Sequence, residues 1–349
     1  MRLIYRKQLF PFFYIFIYLI FFFIMQISVE MEALDIWRYY ASAKQNAKIY
    51  CNLFDIVKYS LDNSFDFIYT VSLWMACRLN ISMNFVTAFY LSLYYLLSYN
   101  IVKKHFSNTF IPNYVIAYAL MFAPFIWVQE ISRNLAAIAI LYVAINFFLN
   151  KKYVKALLFL VISVFTHISI LIYVPIFIAA HFLSGVQIKS HYILVCILGL
   201  VICSLVTPSF LVDLISSYAA GTDSRYAYYG DEMEYVGVFN STGIGYGDKL
   251  PILFAFVFSI ILLIVNKKRD FMFWCHFILT SMLSFFLFSS LMFTNRIIML
   301  LTLIIVWNTV QVYVTSSKNI RKIVRYLSVI GCICVLLHFW SYRTAFLNF

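Results

Sequence analysis

The chain has 349 residues, of which 64% are hydrophobic and 11% charged, and its mean hydropathy is +0.89. These values exclude an ordinary water-soluble globular protein. The net charge of +12 would suit a nucleic-acid-binding protein only if the cations gathered on one soluble face, whereas here they lie between apolar segments. The sequence therefore predicts an integral membrane protein, with no nucleic acid as a partner.

Apolar segments follow one another along the whole chain. A helix that crosses the hydrocarbon core needs about 20 predominantly apolar residues. The first such segment follows Arg2, Arg6 and Lys7 and lacks the small residues of a cleavage site, so we expect it to stay as an uncleaved anchor. We expect nine full spans, at roughly 10–27, 82–100, 112–128, 134–149, 190–207, 250–265, 271–289, 297–314 and 324–341.

The segment 154–182 is long for one spanning helix and short for two. If it crossed once, the basic run 267–269 would face outward and the acidic segment 208–249 would face the cytoplasm, against the usual bias. Two short helices that meet near His167 restore that bias along the whole chain. We therefore expect an all-α, polytopic transmembrane helix bundle of about eleven helices, with a cytoplasmic N-terminus and a C-terminus on the outer face.

We expect residues 1–349 to form a single integral membrane domain with two long outer segments, 28–81 and 208–249. Within the first, residues of about 65–79 show helical spacing of apolar side chains and few charges, which predicts a helix lying in the membrane interface. Most of the nine glycines fall in the second segment. This placement argues against a transporter, because transporters often bind substrate where glycine or proline interrupts a spanning helix.

Two arginines, Arg133 and Arg296, stand at the outer ends of predicted spans. Each could simply reach lipid headgroups or pair with an acid such as Glu130. Each could instead recognise an anion, because a planar guanidinium binds phosphate through two parallel hydrogen bonds. A lipid-linked pyrophosphate would present its charge at this depth.

His167 marks the tip of the predicted helix pair. The residues from Val154 to Thr166 rise only about 20 Å, so the backbone turns within the outer half of the bilayer. Such a turn must be buried in protein or line a wet cavity. A lone histidine usually has a structural role, but at this turn the sequence favours a functional one.

A mixed group of charged and aromatic residues, Asp35, Trp37, Arg38 and Tyr39, follows the first span. Aromatic faces can stack on sugar rings while charged groups fix hydroxyls, and an aromatic belt at the membrane interface would have the same composition. Both interpretations stay open on these residues alone. No spacing of histidines, cysteines and carboxylates predicts a metal site.

Three short motifs follow one another along the chain: Asp35 with Tyr39 four residues later, Arg133-Asn134-Leu135-Ala136, and His167-Ile168-Ser169. This order resembles that of the EpsG family of Wzy-like polysaccharide polymerases. The basic turn Lys151-Lys152 and the later Arg296 also fit, and the likeness is strongest over residues 130–182. Asn134 departs from the glutamine that frequently follows the arginine in that family.

The resemblance implies a glycosyltransferase with an architecture like that of the GT-C membrane enzymes. Such an enzyme transfers a growing glycan from one polyprenyl pyrophosphate to the terminal sugar of another lipid-linked repeat unit, on the outer face of the bacterial inner membrane. The product would be an O-antigen, a capsule or an exopolysaccharide. The implied partners are polyprenyl-pyrophosphate-linked oligosaccharides, membrane lipids and a chain-length regulator protein, with no cofactor and no metal.

The resemblance also assigns roles to the candidate residues. Arginines hold the departing pyrophosphate, a carboxylate or histidine activates or orients the acceptor hydroxyl, and aromatic residues contact the sugar. The catalytic group is Asp35, His167, Arg133 and Arg296, and the substrate-binding group is Trp37, Arg38, Tyr39 and Arg225.

Other functions would also place cations near lipid phosphate. A flippase or exporter of lipid-linked oligosaccharides would show pseudo-symmetric halves and broken helices, which the sequence does not indicate. A ligase that moves finished glycan to a lipid core differs from a polymerase only in its acceptor, so that alternative stays open. A membrane O-acyltransferase could use His167 as a base, but it would also need a cytoplasmic approach for its acyl donor.

Overall fold

The computed structural model describes Leu19 and residues 35–63, 67–106, 132–206, 246–287 and 291–347. Within these residues the chain forms twelve α-helices, one short 3-10 segment and no strand, which confirms the all-α class for this part of the chain. The helices are α1 (Asp35–Ile49), α2 (Leu53–Asn63), α3 (Phe67–Arg78), α4 (Met83–His105), α5 (Ser132–Leu149), α6 (Tyr153–Thr166), α7 (Tyr173–Leu183), α8 (Ser190–Val206), α9 (Tyr246–Val265), α10 (Phe271–Phe286), α11 (Leu291–Thr315) and α12 (Lys318–Leu347), with the 3-10 segment Ile168–Ile172 between α6 and α7.

Two helical stretches among the described residues are long and apolar enough to cross a membrane, Met83–His105 in α4 and Ile297–Thr315 in α11. Six further apolar helices are shorter. A helix occurs at every predicted span that the structure describes. The predicted span 112–128 and, apart from Leu19, the span 10–27 lie outside the described residues, and the number of spans stays a prediction.

The described residues of the segment 28–81 form three helices, of which the sequence predicts only α3, at about 65–79. Helix α1 forms because one of its faces is buried: Tyr40, Ala43 and Ala47 follow one another at helical spacing and are almost inaccessible. Its other residues are mostly polar and exposed, so the apolar signal of α1 is narrow.

A capping residue starts α2. The side-chain oxygen of Asn52 accepts a hydrogen bond from the backbone N–H of Asp55 at 2.9 Å, and its amide group donates to the Asp55 carboxylate at 2.7 Å. Asparagine before the first helical residue satisfies a backbone N–H that the helix itself leaves unpaired. This cap helps to stabilise a helix of only 11 residues.

The C-terminal part of α3 is fixed to the end of α1. The indole Nε1 of Trp74 donates to the carbonyl of Tyr50 at 3.1 Å. The Arg78 guanidinium donates to the carbonyls of Ala47 at 3.3 Å and Cys51 at 3.2 Å. These carbonyls lie at and just beyond the C-terminal end of α1, where the helix leaves acceptors unpaired and favours a cation.

Helices α5 and α6 pack closely against each other. Helix α5 presents fully buried small residues, Ala136, Ala137 and Ala139, which let the two backbones approach. The Ser163 hydroxyl of α6 donates to the carbonyl of Ala137 at 2.6 Å across this contact. The chain reverses between the helices at Lys151, whose φ of 58° lies in the left-handed region.

The segment 154–182 is interrupted at the predicted residue. Helix α6 ends at Thr166, and His167 has an extended backbone with φ −162° and ψ 124°. The 3-10 segment and then α7 follow it. The predicted break near His167 is therefore confirmed.

The described helices fall into two compact units, one formed by residues up to Pro175 and the other by residues from Ile176 onward. In the second unit, α10 and α11 are antiparallel neighbours. The amide of Asn308 donates to the Met272 carbonyl at 3.2 Å near one end, and the Thr294 hydroxyl donates to the Phe286 carbonyl at 3.0 Å near the other.

A buried polar cluster joins α9, α10 and α11. The Asn266 amide donates to Oδ1 of Asn308 at 2.8 Å and to Oε1 of Gln311 at 3.0 Å. Gln311 donates to the carboxylate of Asp270, which also caps α10 by accepting the N–H of Phe273 at 3.0 Å. Asn266, Asp270, Asn308 and Gln311 are called the amide cluster below.

Candidate functional site

Arg133 is the second residue of α5, which begins at Ser132. The backbone N–H groups in the first turn of a helix have no partner within the helix, and the helix dipole makes this end attractive to anions. The residues that follow, from Asn134 to Ala137, are buried and fix the start of α5 in the first unit. Arg133 therefore belongs to a helix end that attracts anions.

His167 occupies the break between α6 and the 3-10 segment. Its backbone N–H donates to the Ser163 carbonyl at 3.0 Å, and its carbonyl accepts the N–H of Ile170 at 3.2 Å. These two bonds close the end of α6 and start the 3-10 segment, so the backbone of His167 is held on both sides. The His167 residue is only partly exposed.

One hydrogen bond unites the two motifs. The hydroxyl of Ser169 donates to Oδ1 of Asn134 at 2.7 Å, and both residues are buried. Asn134 directly follows Arg133, and Ser169 lies two residues after His167. The bond therefore brings the start of α5 and the His167 turn to the same place, although the bonded residues are 35 positions apart. Asn134 and Ser169 are called the motif pair below.

Helix α3 lies beside this place. The Phe67 ring contacts the Phe165 ring edge to face, with centroids 5.5 Å apart. Phe165 is two residues before His167, so the first turn of α3 packs near the end of α6. The segment 28–81 thereby comes close to the His167 turn within the first unit.

Aromatic contacts continue from α3 to α1. The Tyr39 and Tyr69 rings meet edge to face with centroids 6.2 Å apart. Tyr39 is four residues after Asp35, the first residue of α1, so the two positions share one face of that helix. Trp37 and Arg38 are also in α1. Tyr39, from the group Asp35, Trp37, Arg38 and Tyr39, is thus connected through α3 with the end of α6.

A third tyrosine, Tyr40, connects α1 with α4. The Tyr40 hydroxyl hydrogen-bonds the Thr87 hydroxyl at 2.9 Å, and Tyr69 reaches the same hydroxyl at 3.3 Å. Burial of Tyr40 raises the pKa of its phenol above the ordinary value, so the group stays protonated at any physiological pH. Tyr40 therefore fixes α1 on α4 as a neutral hydrogen-bonding group.

Two predicted site residues lie outside the described part of the first unit. Arg296 is in α11, in the second unit, two residues after Thr294. Arg225 lies outside the described residues. Among the residues that the structure describes, no group of three or more histidines, cysteines or carboxylates could hold a metal ion.

The family model of the EpsG family matches residues 11–349, nearly the whole chain. The chain belongs to the EpsG family. This confirms the resemblance stated from the three motifs and associates the chain with polysaccharide biosynthesis and with polymerase activity of the glycosyltransferase type. No curated protein and no solved structure matches the chain. Membership in the EpsG family and the apolar helices together indicate an integral membrane protein.

Sequence reasoning missed the residues that hold the site together. Asn134 and Ser169 were quoted as parts of the EpsG motifs, but no role was predicted for either. A polar residue in a buried helix start and a hydroxyl just after a helix break are the local signals that could have found them. The aromatic contact between Phe67 and Phe165 has no signal in the sequence beyond general apolarity.

Proposed function

We propose that this EpsG-family chain polymerises polyprenyl-pyrophosphate-linked oligosaccharide repeat units on the outer face of the bacterial inner membrane. The observation that supports this proposal best is the hydrogen bond of the motif pair. Arg133, the proposed cation for pyrophosphate, precedes Asn134 by one residue, and His167, a proposed base for a hydroxyl, precedes Ser169 by two.

Glycosyl transfer needs two groups of this kind. The bond between the sugar C1 and the pyrophosphate oxygen breaks, and its electron pair leaves with the polyprenyl pyrophosphate. Arg133 and the N–H groups of the first turn of α5 would stabilise that charge. Arginine can do this without a metal ion, so we propose metal-independent catalysis.

The acceptor hydroxyl forms the new bond to C1 and loses a proton. Neutral imidazole of His167 or the carboxylate of Asp35 would take that proton or orient the hydroxyl. Trp37, Arg38 and Tyr39 would contact the acceptor sugar, because they follow Asp35 on α1. The contact of Tyr39 with Tyr69 supports this part of the proposal, because Phe67 of the same helix α3 contacts Phe165 at the end of α6.

Two further arginines complete the proposed site. A polymerase binds two lipid-linked substrates, so it faces two pyrophosphates. Arg296 and Arg225 are proposed to bind pyrophosphate together with Arg133. A chain-length regulator protein is a proposed partner, because such a polymerase makes products of controlled length.

The site is tested by restoring activity to a deletion strain. Arg133→Ala, Arg296→Ala and His167→Ala are each expected to abolish long-chain polysaccharide and leave single repeat units, while the amount of membrane-bound protein stays normal. Glycan length on gels and an immunoblot of a tagged chain provide the two measurements. Lys104→Ala and His181→Ala, which change an exposed cation and an exposed histidine, are the matched controls.

Each outcome separates the candidate functions. Long chains of normal length in all three variants would remove the proposed site. Complete absence of surface glycan in the deletion strain, rather than single repeat units, would favour a flippase of lipid-linked oligosaccharide. Complete repeat chains that stay on the polyprenyl carrier would favour a ligase.

The proposed topology has nine full spans and the interrupted segment 154–182, with the N-terminus in the cytoplasm and the C-terminus outside. A test is the reaction of intact cells with a membrane-impermeant maleimide. In a Cys51→Ser, Cys77→Ser background, Ser224→Cys in the segment 208–249 should react. Ser317→Cys, at an exposed position between α11 and α12, should react only after lysis. The reverse pattern would invert the topology.

A further inference from the structure

Helix α12 carries one exposed face that changes character along its length. Lys318, Lys322 and Arg325 are exposed and follow one another at spacings of four and three residues, so they share this face. Val329 and Ile333 continue the same line and are exposed as well. Tyr326 is exposed beside them, where the cationic part meets the apolar part.

The opposite face of α12 is fixed in the second unit. Val324, Ser328 and Cys334 are buried, and the helix packs against α9 and α11. The exposed line is therefore the side of α12 that faces away from the protein. It consists of cations over the first two turns and of apolar side chains over the next two.

The cationic part is held in place by α11. The Arg325 guanidinium lies 5.4 Å from the centroid of the Tyr313 ring, and its Nε donates to the Tyr313 hydroxyl at 3.1 Å. The Nε of Arg321 donates to the Ser316 carbonyl at 2.9 Å. A guanidinium has five N–H donors, so Arg325 can bind Tyr313 and an anion together.

Neither α12 nor its neighbour α11 contains an aspartate or a glutamate. No aspartate or glutamate occurs after Asp270. Four cations, Lys318, Arg321, Lys322 and Arg325, thus begin a helix whose remaining residues and whose neighbour α11 carry no carboxylate. Any counter-charge for these cations therefore comes from outside α11 and α12.

The dimensions of α12 match those of a membrane. Its 30 residues rise about 45 Å, which exceeds the roughly 30 Å of hydrocarbon in a bilayer. The first turns therefore extend into the headgroup region. About 10 Å separate Lys318 from Arg325 along the axis, which is the scale of that region.

We propose that this face of α12 binds an anionic glycerophospholipid. The lipid phosphate lies on Lys318, Lys322 and Arg325, and its acyl chains lie along Val329 and Ile333. The apolar continuation of the face distinguishes a phospholipid from free phosphate, which would use the cations alone. The cytoplasmic leaflet, where the proposed topology puts Lys318, is the leaflet that attracts such basic segments. The proposal requires α12 in a bilayer and does not depend on the polymerase reaction.

Native mass spectrometry of the full chain, purified in detergent, tests the proposal. Phosphatidylglycerol, phosphatidylcholine with the same acyl chains, and inorganic phosphate are the three probes. The unchanged chain should retain phosphatidylglycerol and not phosphatidylcholine. Lys318→Gln with Lys322→Gln should weaken that retention on the order of 25-fold, roughly fivefold per lysine.

Two further variants decide the interpretation. Lys267→Gln with Lys268→Gln removes the same charge from an exposed turn of the same unit and should change retention less than twofold. Val329→Ser with Ile333→Ser should weaken lipid retention without touching a cation. Equal losses in both lysine pairs, equal retention of the two lipids, or displacement by inorganic phosphate would each overturn the proposal. The comparison of the two lipids needs no variant, so it stays decisive if a variant fails to fold.

Discussion

The two units of the chain each bury a polar contact between helices, and the two contacts differ in what surrounds them. In the second unit, the side chains of the amide cluster form hydrogen bonds with one another. The Asn266 side chain makes three hydrogen bonds: with Asn308, with Gln311 and with the backbone N–H of Lys268. In the first unit, the motif pair makes a single side-chain bond between Ser169 and Asn134. Arg133 and His167 stand at its margins.

We infer from this difference which polar residues shape the fold and which serve the proposed chemistry. A closed network of amides between helices fixes their register and leaves little for a substrate to bind. A single bond that joins two helix ends fixes the position of neighbouring reactive residues instead. We therefore expect damage to the amide cluster to lower stability, and damage to the motif pair to lower activity.

The largest expected effect is loss of activity on breaking the motif pair. Ser169→Ala or Asn134→Ala should reduce long-chain polysaccharide synthesis by about 100-fold, because a misplacement of catalytic groups by about 1 Å has effects of that order. Both residues act through one bond, so the double variant should be no worse than either single one. Polymerisation rates in membrane vesicles, at equal protein level, provide the measurement.

Two controls make this result specific. Ser190→Ala removes a similar serine bond, to the Ile264 carbonyl at 2.9 Å in the second unit, and should leave the rate unchanged. Ser169→Thr keeps a hydroxyl and should restore most of the activity that Ser169→Ala loses. A double variant with the product of the two single losses would show that Asn134 and Ser169 act independently.

A smaller effect, on stability, should follow from breaking the amide cluster. Asn266→Ala leaves acceptors on Asn308 and Gln311 without their donor and also removes the acceptor of the Lys268 N–H. Interhelical hydrogen bonds in membrane proteins contribute less than those in water-soluble cores, so we expect a loss of about 2 kcal/mol. The unfolding midpoint in detergent measures it.

Lys267→Ala is the control for this change, since Lys267 is exposed in the same turn. Its midpoint should equal that of the unchanged chain. A normal midpoint for Asn266→Ala together with lost polymerisation would reverse the comparison between the two units, because the amide cluster would then serve activity rather than stability.

The parts of the fold that follow from local sequence were predictable. Apolar length identified the helices from α4 to α12 that the structure describes, and charge parity identified the break at His167. The helix at Phe67–Arg78 followed from its apolar spacing. Helices α1 and α2 were missed because each has only a narrow buried face, and α2 depends on the cap at Asn52.

The contacts that assemble the candidate site were not predictable from spacing. Ser169 and Asn134 meet across 35 positions, and Asn266 and Gln311 across 45. The two residues of each pair lie on different segments, so no periodic pattern within one helix reveals their contact. The packing of whole helices brings them together. The motifs of the EpsG family contain both residues of the motif pair, but the order of the motifs does not show that these two residues are bonded. The roles of all the candidate residues stay predictions: Asp35, Trp37, Arg38, Tyr39, Arg133, His167, Arg225 and Arg296.

A conservative change of Asn134 should have only a mild effect on activity. Asn134→Gln introduces the residue that frequently follows the arginine in the EpsG family. Its longer amide can still accept from Ser169 after a small shift of the α5 start, so we expect activity within about fivefold of normal, roughly 1 kcal/mol. Asn134→Leu, which cannot accept a hydrogen bond, should lose as much activity as Asn134→Ala. Equal losses for Gln and Leu would mean that the size of Asn134 matters rather than its hydrogen bond.

The smallest expected effect concerns Tyr40, which supports the first unit away from the reactive residues. Tyr40→Phe removes its bond to Thr87 and should cost about 1 kcal/mol at neutral pH. Because burial raises the pKa of Tyr40, the fold favours the protonated phenol. That contribution is present below the unfolded pKa of about 10 and is lost as the pH rises above it. The unfolding midpoint of the unchanged chain should therefore fall between about pH 9 and 11 more steeply than that of Tyr40→Phe.

Tyr153→Phe, at an exposed position, should follow the unchanged chain. If Tyr40→Phe showed the same slope as the unchanged chain, Tyr40 would not be the buried neutral support of α1, and the link from the Asp35 group to α4 would rest on Tyr69 alone.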